Sequence, residues 1–339
     1  MCCLVRLIAA ARRLRSRERT VPSPSEPSEA EPCDDDSPVH HFNYHVKTVA
    51  GTHRDGTPKP NQDAFFFCQN LANVRGFHVA GVCDGHGEHG EEVAKFVCET
   101  IPAAFSVAVR SRRCHQRHLE LLREDVSGKP YESMDVMRTS IIPLACETLQ
   151  CALRAGACAT DRFRMSGCTL TMAVMLGDFA FFANVGDSYA LLLSESSRVE
   201  YVTPQGGFHS VMQAEELARL VTYGARVVTT SQGNVRCYDP SVPDCPGLSV
   251  SRAFGDFAFR NVGVTSVPVV HCRRIRNGDV IVLASDGVSD ALERHEIVGA
   301  AMSQSDECEQ CALLVQNAVK AWGEGKYRDD VTAMVIKFF

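Results

Sequence analysis

From His41 onward, apolar residues gather in short runs punctuated by Gly, Asp and Asn, while four longer stretches repeat them at every third or fourth position. The short runs read as buried strands: DAFFFC (63–68), FHVAGVC (77–83), TLTMAVML (169–176), FAFFANVG (179–186), RVVTT (226–230), DVIVLAS (279–285) and VTAMVIKFF (331–339). Gly177-Asp178, between the third and fourth, suits a two-residue hairpin turn with glycine first. Helical spacing runs through 90–105, 140–156, 214–224 and 307–322. A charged, weakly patterned segment at about 107–139 reads as a surface insertion. Strands clustered between helical segments without strict alternation predict antiparallel sheets covered by helices, an α+β fold. No internal repeat is present.

Residues 1–40 have a different texture. The first twenty carry six arginines and one glutamate; VPSPSEPSEAEPCDDDSP then carries six acidic residues and no basic ones. The second part buries too little apolar area to offset the entropy of ordering and reads as disordered. Three readings of the basic part stay open: a plain tail, an amphipathic membrane-surface helix aided by acylation of Cys2 or Cys3, and an Arg-rich mitochondrial presequence. The rest, 41–339, reads as globular, and the protein is expected to be monomeric and cytoplasmic unless the tail redirects it.

Composition narrows the function class. A formal net charge of −6 argues against nucleic-acid binding, and no apolar run approaches the roughly 20 residues of a membrane span. Sixteen cysteines occur without a convincing secretory signal, so they read as buried hydrophobes and free thiols. The one CxxC, Cys308–Cys311, sits in helical spacing and reads as helix packing, since a zinc site wants four ligands.

The sharper signal is where aspartates fall. Asp63 opens one strand, Asp84 ends another in VCDGHG, Asp187 follows FFANVG, Asp286 and Asp290 follow VIVLAS, and Asp329 with Asp330 precedes the last strand. One such residue is commonly a turn or cap. At least five against apolar runs exceed what the nearby bases can pair, and carboxylates converging on one rim repel unless a multivalent cation joins them. Aspartate, carbonyl and water ligands suit Mg2+ or Mn2+ rather than zinc. Gly85 would let a carbonyl turn to the ion, and Gly87 would keep bulk away from a substrate.

NQDAFFF, VCDGHGEHGEEVAKFV, GCTLTMAV, FFANVGDSYALLL, CPGLSVSRAFGDFAF, VIVLASDGVSDAL and YRDDVTAMVI occur in this order and cover about 51–339. Together they resemble the metal-dependent protein phosphatases of the protein phosphatase 2C type. The resemblance implies a four-layer α-β-β-α sandwich, two packed antiparallel sheets flanked by helices, with a two-metal cleft at one edge. It implies hydrolysis of phosphoserine and phosphothreonine in phosphoprotein substrates by a water activated between two Mg2+ or Mn2+ ions. Carried across, Asp84 bridges the ions, Gly85 offers its carbonyl, Asp286 and Asp329 are direct ligands, and Asp63 acts directly or through water. Asp187 and Asp290 match positions that help hold a third, looser ion. His86 matches the acid that protonates the leaving group, and 203–247 matches a mobile flap beside the cleft.

Departures from the family pattern also stand out. Gln62 replaces a glutamate, Tyr189 an arginine, Ser289 a tryptophan and Asp330 an asparagine. Pro58 stands where an arginine usually grips phosphate, leaving Lys59 or Arg54 to substitute. Arg252 and Asp256 of SRAFGD are expected to form a buried pair. The rival readings are a catalytically silent scaffold that keeps the fold, and a cysteine-dependent phosphatase. The latter lacks a His-Cys with an arginine six positions on: His271-Cys272 leads to Gly278, and Cys158 has Arg164 but no preceding histidine.

Overall fold

The computed structural model describes residues 41–111, 134–157, 161–204, 209–231, 233–242, 246–303, 306–323 and 327–339. The N-terminal tail and residues 112–133 of the expected insertion lie outside them. The described chain runs β1 (Phe42–Val49), β2 (Ala64–Cys68), β3 (Phe77–Cys83), β4 (Gly85–His86), α1 (Gly90–Arg110), α2 (Ile142–Ala157), β5 (Gly167–Cys168), β6 (Leu170–Leu176), β7 (Phe179–Val185), β8 (Tyr189–Leu193) and β9 (Val199–Val202). It continues through α3 (Ala214–Thr222), β10 (Arg226–Thr229), β11 (Val235–Tyr238), β12 (Phe254–Gly255), β13 (Val269–Arg274), β14 (Val280–Ala284), α4 (Asp286–Ser289), α5 (Arg294–Ala301), α6 (Glu307–Trp322) and β15 (Val331–Phe338). No described helix is long and apolar enough to cross a membrane.

Two five-stranded antiparallel sheets carry the fold, one ordered β1-β15-β14-β8-β9 and the other β13-β7-β6-β3-β2. Strand side chains alternate between faces. On β14, Ile281 and Leu283 pack inward with Ala80, Val82, Met175 and Phe182 of the opposite sheet, while Val280 and Val282 pack outward with Leu314 and Val315 of α6. The second sheet meets α1 and α2 on its outer face, through Val79, Val97, Ile101 and Leu149. Both faces of each sheet are thus covered, which is why these strands read as unbroken apolar runs instead of alternating ones. Each fully buried Val, Leu or Ile contributes about 1.5–3 kcal/mol of transfer free energy.

The β6–β7 hairpin turns at Gly177-Asp178, with glycine at φ 53°. Helical structure extends beyond the sequence pattern in two places. The α1 helix runs on to Arg110, and one π-type turn (Met137–Ile141) leads into α2. Both ends of the expected insertion are therefore helical.

Beside the sheets, β10 and β11 form a hairpin that packs with α3 in a separate small core of Leu220, Cys237, Leu248, Phe259 and Val262. This unit occupies the region expected to be the flap. A three-stranded ribbon, β12-β5-β4, joins it to the main sheets.

Candidate active site

Strand register decides where the aspartates go. In one sheet Ala64 pairs with Cys83, so Asp63 and Asp84 extend side by side from neighbouring strands. Asp187 follows β7 at the same end, where Leu170 pairs with Val185 and Thr169 donates its N–H to the Asp84 carbonyl (2.8 Å). In the other sheet Ala284 pairs with both Tyr189 and Ala333, which sets Asp286 between the Asp187 loop and the Asp329-Asp330 entry to β15. Hydroxyls stitch the two sheets together at this edge: Ser285 Oγ donates to Asp63 Oδ2 (2.8 Å), and the Thr169 and Ser188 hydroxyls lie 2.6 Å apart.

The electrostatics are those of crowded carboxylates. Burial first, then Asp286 and Asp63, push the Asp84 carboxyl well above its usual range. Burial, then Asp187, Asp329 and Asp290, do the same to Asp286. Burial raises Asp63 to about 7 against hydrogen bonds from Thr332 and Ser285, and raises Asp187 to about 6. It also raises Asp290, with Asp329 adding to the shift. Although Asp84, Asp187 and Asp286 touch solvent, the cleft walls around them are protein. At an effective dielectric of about 20, two carboxylates 4 Å apart repel by about 4 kcal/mol.

Among the described residues, no three acidic, His or Cys side chains already stand together at metal-ligand spacing. Several rest on neighbours: Asp84 shares a hydrogen bond with Asp286, and Asp329 accepts from Lys59 Nζ (2.5 Å) and Tyr327 Oη (2.9 Å). The donor set nevertheless fits a hard cation. Asp63 Oδ1 and Asp286 Oδ1 are buried oxygens with no hydrogen-bond partner, and every candidate ligand is an oxygen. A bound divalent ion would reverse the direction of each of these shifts.

Other expectations change in detail. Lys59, expected to grip phosphate, lies with its ammonium on Asp329 and 3.3 Å from Asp330. Burial opposes its charge, but those two carboxylates outweigh it and raise its pKa. Arg54 stands exposed on the His53–Thr57 turn. Asp330 is a clasp: it accepts from the N–H groups of Gly51 (2.6 Å) and Gln62 (3.1 Å), fixing the loop that carries Asp63. Gln62 donates Nε2 to the Gly87 carbonyl (2.8 Å), a bond a glutamate could not make. Gly85 allows close packing, since a Cβ would overlap the carbonyls of Gly90 and Gln62; Gly87 sits at φ 80° against Ser166.

The SRAFGD expectation is corrected. Arg252 and Asp256 do not pair with each other. Arg252 forks onto Glu216 of α3, and Asp256 meets His86, with Oδ2 2.6 Å from Nε2. Burial disfavours the His86 imidazolium, but Asp256 and then Asp187 outweigh it and raise the pKa above its ordinary value. Nothing in the sequence signals this contact, because His86 lies on a two-residue strand and Asp256 on the turn that follows another, neither with a hydrophobic period. The Cys308–Cys311 pair lies in α6 as expected, with Cys311 in the core.

Comparison with known proteins agrees with this geometry. The family model described as Protein phosphatase 2C matches residues 48–322. "Probable protein phosphatase 2C 48" of Oryza sativa subsp. japonica is 33% identical over 305 residues, covering 84% of this chain and 82% of its own. "Probable protein phosphatase 2C 65" of Arabidopsis thaliana is 28% identical over 298 residues, 81% and 72% of the two chains. Among solved structures, the serine-threonine phosphatase 2C from Toxoplasma gondii is similar with a TM-score of 0.68 at 20% identity, covering 88% of this chain and 95% of that one. The catalytic domain of the serine threonine protein phosphatase PstP, in complex with two manganese ions, is similar with a TM-score of 0.51 at 21% identity, over 88% and 98%. Sheets, cleft edge and sequence similarity agree: the chain belongs to the protein phosphatase 2C family.

Proposed function

We propose that the protein hydrolyses phosphoserine and phosphothreonine in protein substrates, using Mg2+ or Mn2+ held by Asp63, Asp84, Asp286, Asp329 and the Gly85 carbonyl. Asp187 and Asp290 border the position of a further ion. The observation that carries the reading is the pair of buried, unpartnered carboxylate oxygens on Asp63 and Asp286 inside an all-oxygen, mutually repelling cluster. The two-manganese complex of PstP supports divalent ions as the occupants. When bound, the ions supply positive charge for the phosphoryl oxygens and a water of lowered pKa. The chain's own contribution is orientation and a proton. Asp330 and Gln62 pin the loop before β2, the Ser285 hydroxyl fixes Asp63, and His86 on β4 faces the cleft half-exposed. As the ester P–O bond breaks, its electron pair stays on the serine or threonine oxygen, which takes a proton from His86.

Lys59 favours a second reading, a silent scaffold, because its ammonium already compensates Asp329. One assay separates the two. A phosphothreonine peptide is incubated with the full chain in Mn2+, beside an Asp286→Asn control. Turnover well above the control, abolished by EDTA, supports the phosphatase; turnover equal to the control supports the scaffold.

A further inference from the structure

The contact between His86 and Asp256 spans 170 positions and two outer strands of the β12-β5-β4 ribbon. Gly167, on the middle strand, pairs with Gly255 on one side and His86 on the other. The Asp256 carboxylate therefore reaches over β5 to meet the imidazole. Two local features make that path available. Gly167 has no side chain, and a Cβ there would overlap Asp256 Oδ2 and the Phe254 carbonyl. Asp256 itself adopts φ 46°, the left-handed region, which aspartate tolerates better than most residues but still at a cost. Its N–H donates to the Ser166 carbonyl (2.9 Å), locking that turn.

Asp256 is fully buried, and its Oδ1 has no hydrogen-bond partner. Arg260 interacts with it electrostatically, but that residue's guanidinium hydrogens go to the carbonyls of Gly255, Ala253 and Val264. A structural anchor would use both carboxylate oxygens on the backbone around it, as Asp330 does. Asp256 instead spends its one strong side-chain contact on an imidazole that keeps 27% of its side chain open to the cleft.

We propose that Asp256 is a positioning residue for His86. It accepts the Nε2–H, which fixes the ring's orientation and tautomer and leaves Nδ1 as the nitrogen presented to the leaving group. This rests on the reading of His86 as the leaving-group acid. In the step itself, the proton on Nδ1 passes to the departing alkoxide oxygen as it gains the P–O electron pair. The ring is then neutral, with its remaining proton still held on Nε2 by Asp256. The arrangement is chain chemistry only and needs no co-reactant.

The test uses leaving-group dependence in the full chain with Mn2+. An alkoxide needs the proton, whereas p-nitrophenolate leaves without one. Asp256→Asn is expected to lower kcat on a phosphothreonine peptide by about 10²-fold, within the range of acid catalysis, and on p-nitrophenyl phosphate by only a few-fold. His86→Asn should show the same split, and the double variant should be no slower than His86→Asn. Equal losses on both substrates for Asp256→Asn, or additive losses in the double variant, overturn the positioning role while leaving the acid assignment intact. Equal losses for His86→Asn overturn the acid assignment. A readout on the unmodified protein guards against a misfolded variant: nitrogen-15 NMR of neutral His86 should show the Nε2–H tautomer, and an Nδ1–H tautomer refutes the proposal.

Discussion

Glu216→Gln probes how α3 is tied to the Ser251–Arg252 segment that leads into β12. Glu216 sits on α3 at 5% exposure and receives Arg219 Nη1 (2.7 Å), Arg252 Nη2 (2.7 Å) and Nε (3.1 Å), and the Ser251 hydroxyl. Burial alone would raise its pKa, yet hydrogen bonds from Arg252, Arg219 and Ser251 outweigh it and hold the carboxyl at about 2, against an ordinary 4.5. At about 1.4 kcal/mol per pKa unit, that shift corresponds to roughly 3 kcal/mol, and solvent screening of the partly open Arg219 lowers it to about 2 kcal/mol. The folded-state pKa lies below the unfolded one. The contribution is therefore present above about pH 4.5 and is lost as pH falls toward about 2. Glutamine keeps the shape but turns an NH2 donor toward donors.

The expected outcome at pH 7 is a loss of about 2 kcal/mol, read as faster hydrogen exchange of α3 amides and a lower urea midpoint. At pH 3 the difference between parent and variant should shrink by more than half. Equal exchange of residues 214–222 in both proteins at pH 7, or a pH-independent difference, refutes the reasoning.

Further outcomes follow from the cleft. Asp286→Asn removes one member of the repelling cluster, so the metal-free protein should gain about 1–2 kcal/mol while Mn2+ ceases to raise its Tm; a less stable variant contradicts the electrostatics. Gln62→Glu deletes the donor to Gly87, costing about 1 kcal/mol without metal, while a calorimetric titration should show tighter Mn2+ binding. Iodoacetamide should leave phosphatase activity intact, because Cys83, Cys98, Cys146, Cys168, Cys237 and Cys311 are buried, whereas EDTA should abolish it. If the acylation reading holds, a fluorescent fusion of residues 1–40 stains membranes and loses that staining when Cys2 and Cys3 become Ser; mitochondrial staining in both versions would favour the presequence reading.

How much of this was legible in the sequence follows from burial. Strands covered on both faces, such as β3, β6, β7, β14 and β15, announce themselves as apolar runs, and their ends place the aspartates. The edge strand β1 does not, since FNYHVKTV shows one face to solvent and mixes Asn, Tyr, His and Lys with its apolar residues. The hairpin strands β10 and β11 and the edge strand β13 are half-exposed as well, and only β10 left a recognisable run. Pairings between distant polar residues carry no local period. Arg252 with Glu216, Asp256 with His86 and Lys59 with Asp329 depend on the tertiary path of loops, and proximity in the chain suggested the wrong partner for Arg252. What Gln62 does could be read only once Gly87 was placed beside it.

The central claim is that aspartates from five strand ends form one divalent-cation site. Isothermal titration of Mn2+ into the metal-free full chain and into Asp84→Asn tests it most directly. Two or more ions bound per parent chain, with binding lost or cut to a weak remnant in the variant, is the predicted result; identical stoichiometry and affinity in both proteins would contradict it.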